Sequence, residues 1–179
     1  MARTFETIRN AQFATSPVGS TLDFDACTQH GLVSVMKLSF DQEKKVLRDT
    51  SYGTGGAFST HYRLNTIQGE VTLKEELFEN MKLALRATST GTSAAGVFNA
   101  LAGGVIERRI LIKVISELNN DDIDIYEIYR AKFSLTDSID LISEDFGDIM
   151  LKFDVLRNPD ATGVADAYMK VTRTRPEAP

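Results

Sequence analysis

The sequence predicts a mainly β fold: a two-sheet antiparallel β-sandwich or barrel with one flanking α-helix and a long protruding loop. Three observations carry that prediction. Apolar residues alternate with period two over long runs at 32–40, 66–73, 105–118, 123–135 and 147–156, and the last three exceed an ordinary strand of about 5–6 residues. Within residues 66–86 one run passes directly into a stripe of three-and-four spacing, so a strand leads into an amphipathic helix. Residues 41–65 carry no comparable pattern, and their length exceeds the roughly 12–15 residues that unstructured connections rarely surpass.

Each element follows from its residues. In 32–40, Met36, Leu38 and Phe40 share a face, with Lys37 and Ser39 opposite, and the natural antiparallel partner of this run is 66–73. There Ile67, Gly69, Val71 and Leu73 face one way, and Thr66, Gln68, Glu70 and Thr72 present a wholly polar face. The intervening residues 41–65 place Gly53, Gly55 and Gly56 at a tip flanked by Tyr52, Phe58 and Tyr62; we read them as an extended arm that orders against a partner. Thr72 and Glu75 form a capping box for a helix whose apolar stripe is Leu77, Phe78, Met81, Ala84 and Leu85. Residues 88–104, rich in Gly, Ser, Thr and Ala, read as a mobile connector.

In the C-terminal half, Asn119, Asn120, Asp121 and Asp122 supply a turn between two strands. The second of these puts Ile123, Ile125, Tyr129, Phe133 and Leu135 on one face, with Asp124, Tyr126, Ile128, Arg130, Lys132 and Ser134 on the other. The last strand turns Ile149, Leu151, Phe153 and Val155 inward and Met150, Lys152, Asp154 and Leu156 outward. Residues 173–179 read as a peripheral tail, and residues 1–29 show no pattern that can be aligned.

With 179 residues, 42% hydrophobic and 25% charged, the chain is expected to form a single domain around one core. A formal charge of −5 argues against gripping nucleic acid, which needs clustered Lys and Arg. No apolar run reaches the ~18 residues of a membrane span, and residues 1–10 lack the features of a signal peptide, so a soluble chain made in the cytosol is expected. Cys27 is the single cysteine, which excludes an internal disulfide and reads as a packing residue.

The candidate chemistry is thin. Gly53-Thr54-Gly55-Gly56 is followed by Ala57 and Phe58, not by the Lys and Ser or Thr that open a phosphate-binding helix. His30 and His61 lack a second ligand at metal spacing. Asp121, Asp122, Asp124 and Glu127 lack the glycine and closing glutamate of a calcium loop. Glu144, Asp145 and Asp148 read equally well as turn residues and as an acid-base pair. No catalytic residue, cofactor or metal is therefore expected. What remains is a set of long strands without internal proline, whose edges need pairing, covering or charge.

In pattern order the chain resembles the major tail tube proteins of long non-contractile-tailed bacteriophages. The elements are Gly69-Glu70-Val71-Thr72-Leu73, the acidic helix opening Glu75-Glu76, then Glu79-Asn80-Met81-Lys82-Leu83-Ala84-Leu85, and later Tyr129-Arg130-Ala131 and Asp145-Phe146-Gly147. The resemblance implies one tail-tube domain over 1–179, assembling with itself as homohexameric rings stacked into a tube. Residues 41–65 would be the stacking arm, with Lys44, Lys45, Arg48, Tyr52, Gly53, Gly55, Gly56, Phe58 and Tyr62 as its contacts. Residues 75–88 would be the flanking helix, packed through Leu77, Met81 and Leu85. Thr66, Gln68, Glu70, Thr72, Lys37 and Ser39 would line the lumen, through which DNA passes without specific binding. Further implied partners are tail terminator and tail-tip or tape-measure proteins, with no membrane binding. The location would be the virion tail after synthesis in the host bacterial cytoplasm. Alternatives are the inner tube of a contractile tail or secretion machine, a monomeric β-sandwich that binds a ligand or glycan through the arm aromatics, and an enzyme using Glu144, Asp145 or Asp148.

Overall fold

A computed structural model describes residues 10–48, 57–74, 78–92, 95–116, 122–135, 148–162 and 167–175. The strands are β1 (Asn10–Ser16), β2 (Thr28–Arg48), β3 (Ala57–Leu73), β4 (Thr88–Thr92), β5 (Ala95–Asn99), β6 (Ile106–Ser116), β7 (Asp122–Phe133), β8 (Ile149–Val155) and β9 (Met169–Thr174). The helix α1 spans Phe78–Leu85, and a short 3-10 turn covers Phe24–Ala26. Hydrogen bonding runs β6-β1-β2-β3-β8-β7, and β7 returns to β6, which closes six antiparallel strands into a barrel. β9 adds to β7, and β4 pairs with β5 alone. The mainly β chain with one helix is thus as the alternation predicts.

Burial on one side of each strand drives this closure. Ile67, Val71 and Leu73 of β3, Ile110, Ile112 and Val114 of β6, Ile149, Leu151, Phe153 and Val155 of β8, and Phe13 of β1 form one core. Gly69 pairs directly with Phe153, and a Cβ built on it would collide with the edge of the Phe153 ring at Cε2 and Cζ. The glycine is therefore required by close approach of an aromatic ring, which also packs on Phe133 with centroids 5.7 Å apart. A second, smaller cluster lies around Ala14, Phe24, Cys27 and Leu111. The 3-10 turn supplies Phe24, and Lys113 sits over its ring and near Asp25. Arg109 pairs with Glu127 at 2.7 Å and donates to the Leu22 carbonyl at 2.7 Å, fastening this covering segment.

Several expectations are corrected. Phe133 is buried as predicted, but the faces of β7 otherwise depart from strict alternation: Ile128 and Ala131 are also buried in the main core, Tyr126 packs against it, and Leu135 is exposed. Arg108 pairs with Ala131 and Ile110 with Ile128, so Tyr129 and Arg130 together oppose Arg109 in a β-bulge that shifts the side-chain parity. The bulge also marks where β7 leaves β9, its partner over Ile123–Ile128, for β8 at Ala131–Phe133.

Residues 41–65 are not an open loop where they are described. β2 and β3 continue as a paired ribbon to Arg48 opposite Ala57. The pattern hides this because the described ribbon side chains are exposed except for half-buried Leu64, so no apolar alternation is needed to hold the ladder there. Residues 88–104, read as a connector, contain the β4–β5 hairpin. The unaligned residues 1–29 contain β1, which fills the barrel between β2 and β6. Arg173, assigned to the tail, belongs to β9 and binds Asp124 at 2.6 Å.

The helix also departs from its predicted limits of 75–88. Residues 75–77, including Leu77 and the Glu75 half of the capping box, lie outside the described residues. At the other end Arg86 turns left-handed (φ 48°), and the Ala87 amide bonds back to the Lys82 carbonyl, closing the helix before β4 starts at Thr88. Asn80, Leu83 and Ala84 form the buried face. Met81 is only partly buried against the core, and Leu85 is half-buried.

Candidate assembly surface

Three strands expose the polar side of the barrel wall. Ser39, Gln68 and Asp154 lie in one cross-strand row over β2, β3 and β8, which continues to Lys132 of β7 and Glu107 of β6. Lys37, Glu70 and Lys152 form the adjacent row. Along both rows every directly paired charge meets its opposite: Lys37 with Glu70, Glu70 with Lys152, Asp154 with Lys132, and Lys132 with Glu107. The Lys37 ammonium lies 3.9 Å from the Glu70 carboxylate, and Gln68 donates to Asp154 at 3.3 Å. Such pairs contribute roughly 0.2–1 kcal/mol each and leave no continuous track of one sign. A depression of about 430 Å³ follows these rows.

The residues assigned to a lumen divide on this surface. Lys37, Ser39, Thr66 and Gln68 are exposed and Glu70 is half-buried, whereas Thr72 is buried. Thr72 pairs with Val35 and Met150, so the polar face ends in an apolar row there. Lys132, Lys152 and Asp154 belong to the surface but were absent from the assignment. Their alternation with Phe133, Leu151 and Phe153 was legible, but the pairing of β8 with β3 and β7 was not.

The border of this face is an open strand edge. β1 pairs with β2 only as far as Leu32, and among the described residues no strand occupies that edge of β2 beyond it. Where β2 departs from β1, a groove of about 500 Å³ opens beside Ala11, Val33, Val35, Met36, Leu38 and Ile112. Phe40, expected to share a face with Met36 and Leu38, is 54% exposed, because it stands at the last pair of the barrel wall, where the ladder passes into the ribbon and no described strand flanks β2 on its other side.

Of the arm residues, Lys44 and Lys45 are exposed on the ribbon, paired with Tyr62 and His61. The backbones of Arg48, Phe58 and Tyr62 belong to the ladder, and their side chains lie outside the described residues, as do Tyr52, Gly53, Gly55 and Gly56 altogether. Behind the polar face, α1 is held by a buried network. The His30 ring meets Asn80 Oδ1 at 2.7 Å and the Thr15 hydroxyl at 2.8 Å, and Asn80 Nδ2 donates to the His30 carbonyl at 2.9 Å. That last bond turns Oδ1 toward the ring, so His30 Nδ1 carries the proton and Nε2 accepts from Thr15. Burial pushes the His30 pKa below its ordinary value, against the raising effect of the Asn80 bond.

The other candidate groups have structural surroundings. Cys27 Sγ lies 3.2 Å from the Asp23 carbonyl within the smaller core. Asp148 forms an exposed ion pair with Lys74 at 3.1 Å, and Glu144 and Asp145 lie outside the described residues. Among the described residues no group of three His, Cys, Asp or Glu could hold a metal ion, and no helix is long and apolar enough to cross a membrane. Compared with known proteins, the chain matches no family model and no curated sequence.

Proposed function

We propose that this chain is a self-assembling structural subunit of a tube, of the kind found in long non-contractile phage tails, in which rings of copies enclose a polar bore and stack through the β2–β3 ribbon. One observation carries the reading: a charge-alternating polar face over β2, β3 and β8 ends at an edge of β2 that no described strand pairs. An exposed edge of this kind is a template for pairing with another chain, and closure into a ring removes it. The balance of Lys37, Lys132 and Lys152 against Glu70, Asp154 and Glu107 suits a bore through which a polyanion slides, because it offers no run of cations to release counterions. The ribbon suits stacking, since both its strands extend past the last β3–β8 pair at Gln68 and its described side chains from Gln42 to Val46 are exposed.

The bore residues are then Lys37, Ser39, Thr66, Gln68 and Glu70, joined by Lys132, Lys152 and Asp154. α1 holds the wall from behind through Asn80 and Leu83. No reaction is part of this function. Light scattering over a concentration series, with negative-stain microscopy of the concentrated protein, tests it. Hollow rings or tubes are expected, and particles that keep the mass of one chain at every concentration would overturn it.

A further inference from the structure

We infer that the β4–β5 hairpin is a docking element whose β5 edge pairs with the open β2 edge of a second copy, at residues 33–40, and sets Val97 into the apolar groove beside it. This docking rests on the self-assembly reading and names the surfaces that meet.

Four observations lead to it. First, β4 and β5 pair only with each other among the described residues, and a two-stranded hairpin by itself is marginal in water. Second, the hairpin lacks the usual protection of a sheet edge: from Ala87 to Ile106 the chain has no Asp, Glu, Lys or Arg, although a quarter of all its residues are charged. Third, Val97 is 64% exposed and Leu101 66% exposed, and Leu101 is held in the left-handed region (φ 63°), which a bulky residue seldom adopts. That conformation is fixed from below, since the Leu101 amide donates to the Leu85 carbonyl and the Gly103 amide to the Arg86 carbonyl. The base of the hairpin is thus tied to α1 while Val97 and Leu101 face water.

The fourth observation is the complementary surface. The groove beside β2 is lined by Val33, Val35, Met36, Leu38 and Ile112, and among the described residues no strand pairs with the adjoining β2 edge. Of residues 33–40 only Lys37 is charged, and it belongs to the polar face with Glu70. A neutral strand can therefore enter without burying an unpaired charge. Edge pairing would supply the backbone bonds, and side chains entering the groove would supply specificity. Because hairpin and groove are different parts of the chain, the contact is heterologous, and repetition yields a closed ring or an open filament.

The test uses the full chain. Val97→Asp, on an exposed side chain, is expected to leave thermal unfolding unchanged and to weaken association by about tenfold or more. Mixing Val35→Cys with Val97→Cys copies under a mild oxidant is expected to give a disulfide-linked pair well above the yield of either variant alone, since native Cys27 is buried. Association of Val97→Asp at the wild-type concentration, or a mixed yield no higher than the single-variant controls, overturns the docking and leaves the tube reading standing. A wild-type chain that never associates overturns both.

Discussion

The β2–β3 hairpin is one continuous ladder in two environments. From Val33 opposite Leu73 to Phe40 opposite Ile67 it forms barrel wall, with Ile67, Gly69, Val71 and Leu73 buried against the core. From Gln42 opposite Leu64 to Arg48 opposite Ala57 the same ladder carries on as a ribbon, where the residues from Gln42 to Val46 are exposed. The backbone pairing is alike in both. What differs is burial, so the wall half should behave as part of the cooperative fold and the ribbon half as an appendage whose interactions lie elsewhere.

The largest effect is expected in the wall. Phe153→Ala removes a ring that fills the space over Gly69 and packs on Phe133, and should cost about 3–5 kcal/mol in chemical denaturation. Gly69→Ala on its own should cost about 1–3 kcal/mol, because the Phe153 ring must move aside inside a packed core. Combined with Phe153→Ala, the added methyl has room, and Gly69→Ala should cost far less than it does alone. Additivity in that double-mutant cycle would show that the glycine is not there for the ring.

Next in size is the network joining β1, β2 and α1. Asn80→Ala strips His30 Nδ1 of its acceptor and the His30 carbonyl of a donor, at a cost of about 1–3 kcal/mol. The native network also predicts acid sensitivity. Burial lowers the folded-state pKa of His30 below 6.5, so between that lowered value and 6.5 the unfolded chain binds more protons than the folded one. Stability from this group is present in full above the unfolded pKa. It falls as pH drops through 6.5 and levels off once the folded-state pKa is passed. The Asn80 bond raises that pKa, so Asn80→Ala should extend the loss to lower pH. Urea unfolding of His30→Gln and Asn80→Ala against the wild type from neutral to mildly acidic pH checks both the sign and the window.

A smaller effect, of opposite sign, is expected where α1 ends. Arg86 occupies the left-handed position that glycine usually takes, so Arg86→Gly should stabilise the chain by up to about 1 kcal/mol, read as a raised thermal midpoint.

The same contrast between buried and unburied pairing decides what the sequence could reveal. β8 was legible residue by residue, since Ile149, Leu151, Phe153 and Val155 are all apolar and all buried. The polar side of β3 was legible for the same reason, apart from Thr72, which a neighbouring apolar row covers. β1 was not legible: in NAQFATS only Phe13 is a large apolar residue, and the pairing depends on neighbours far along the chain. β4 and β5 have no large alternating side chains to betray them. β7 is recognised as a strand and Phe133 falls inward as expected, but Tyr126 and Ile128 before the bulge fall inward against expectation, because the extra residue of a bulge changes parity without changing composition. For the candidate site, Lys37, Ser39, Gln68 and Glu70 followed from one strand pair. Lys132, Lys152 and Asp154 required knowing that β8 lies beside β3 and that β7 crosses to join it.

The ribbon should give the smallest change in stability and thereby the sharpest contrast. Val46 is exposed and lies opposite Thr60, beyond the last residue of β3 that β8 supports. Val46→Ala, and Lys44→Glu combined with Lys45→Glu, should each change the unfolding free energy by less than about 0.5 kcal/mol, whereas a truncation such as Phe153→Ala costs several times more. If the ribbon joins one ring to the next, reversing the charge at Lys44 and Lys45 should leave single rings while removing stacked tubes from micrographs. A loss of more than about 1 kcal/mol from Val46→Ala would mean that the ribbon folds as part of the wall, and the division drawn between the two halves of the ladder would fall.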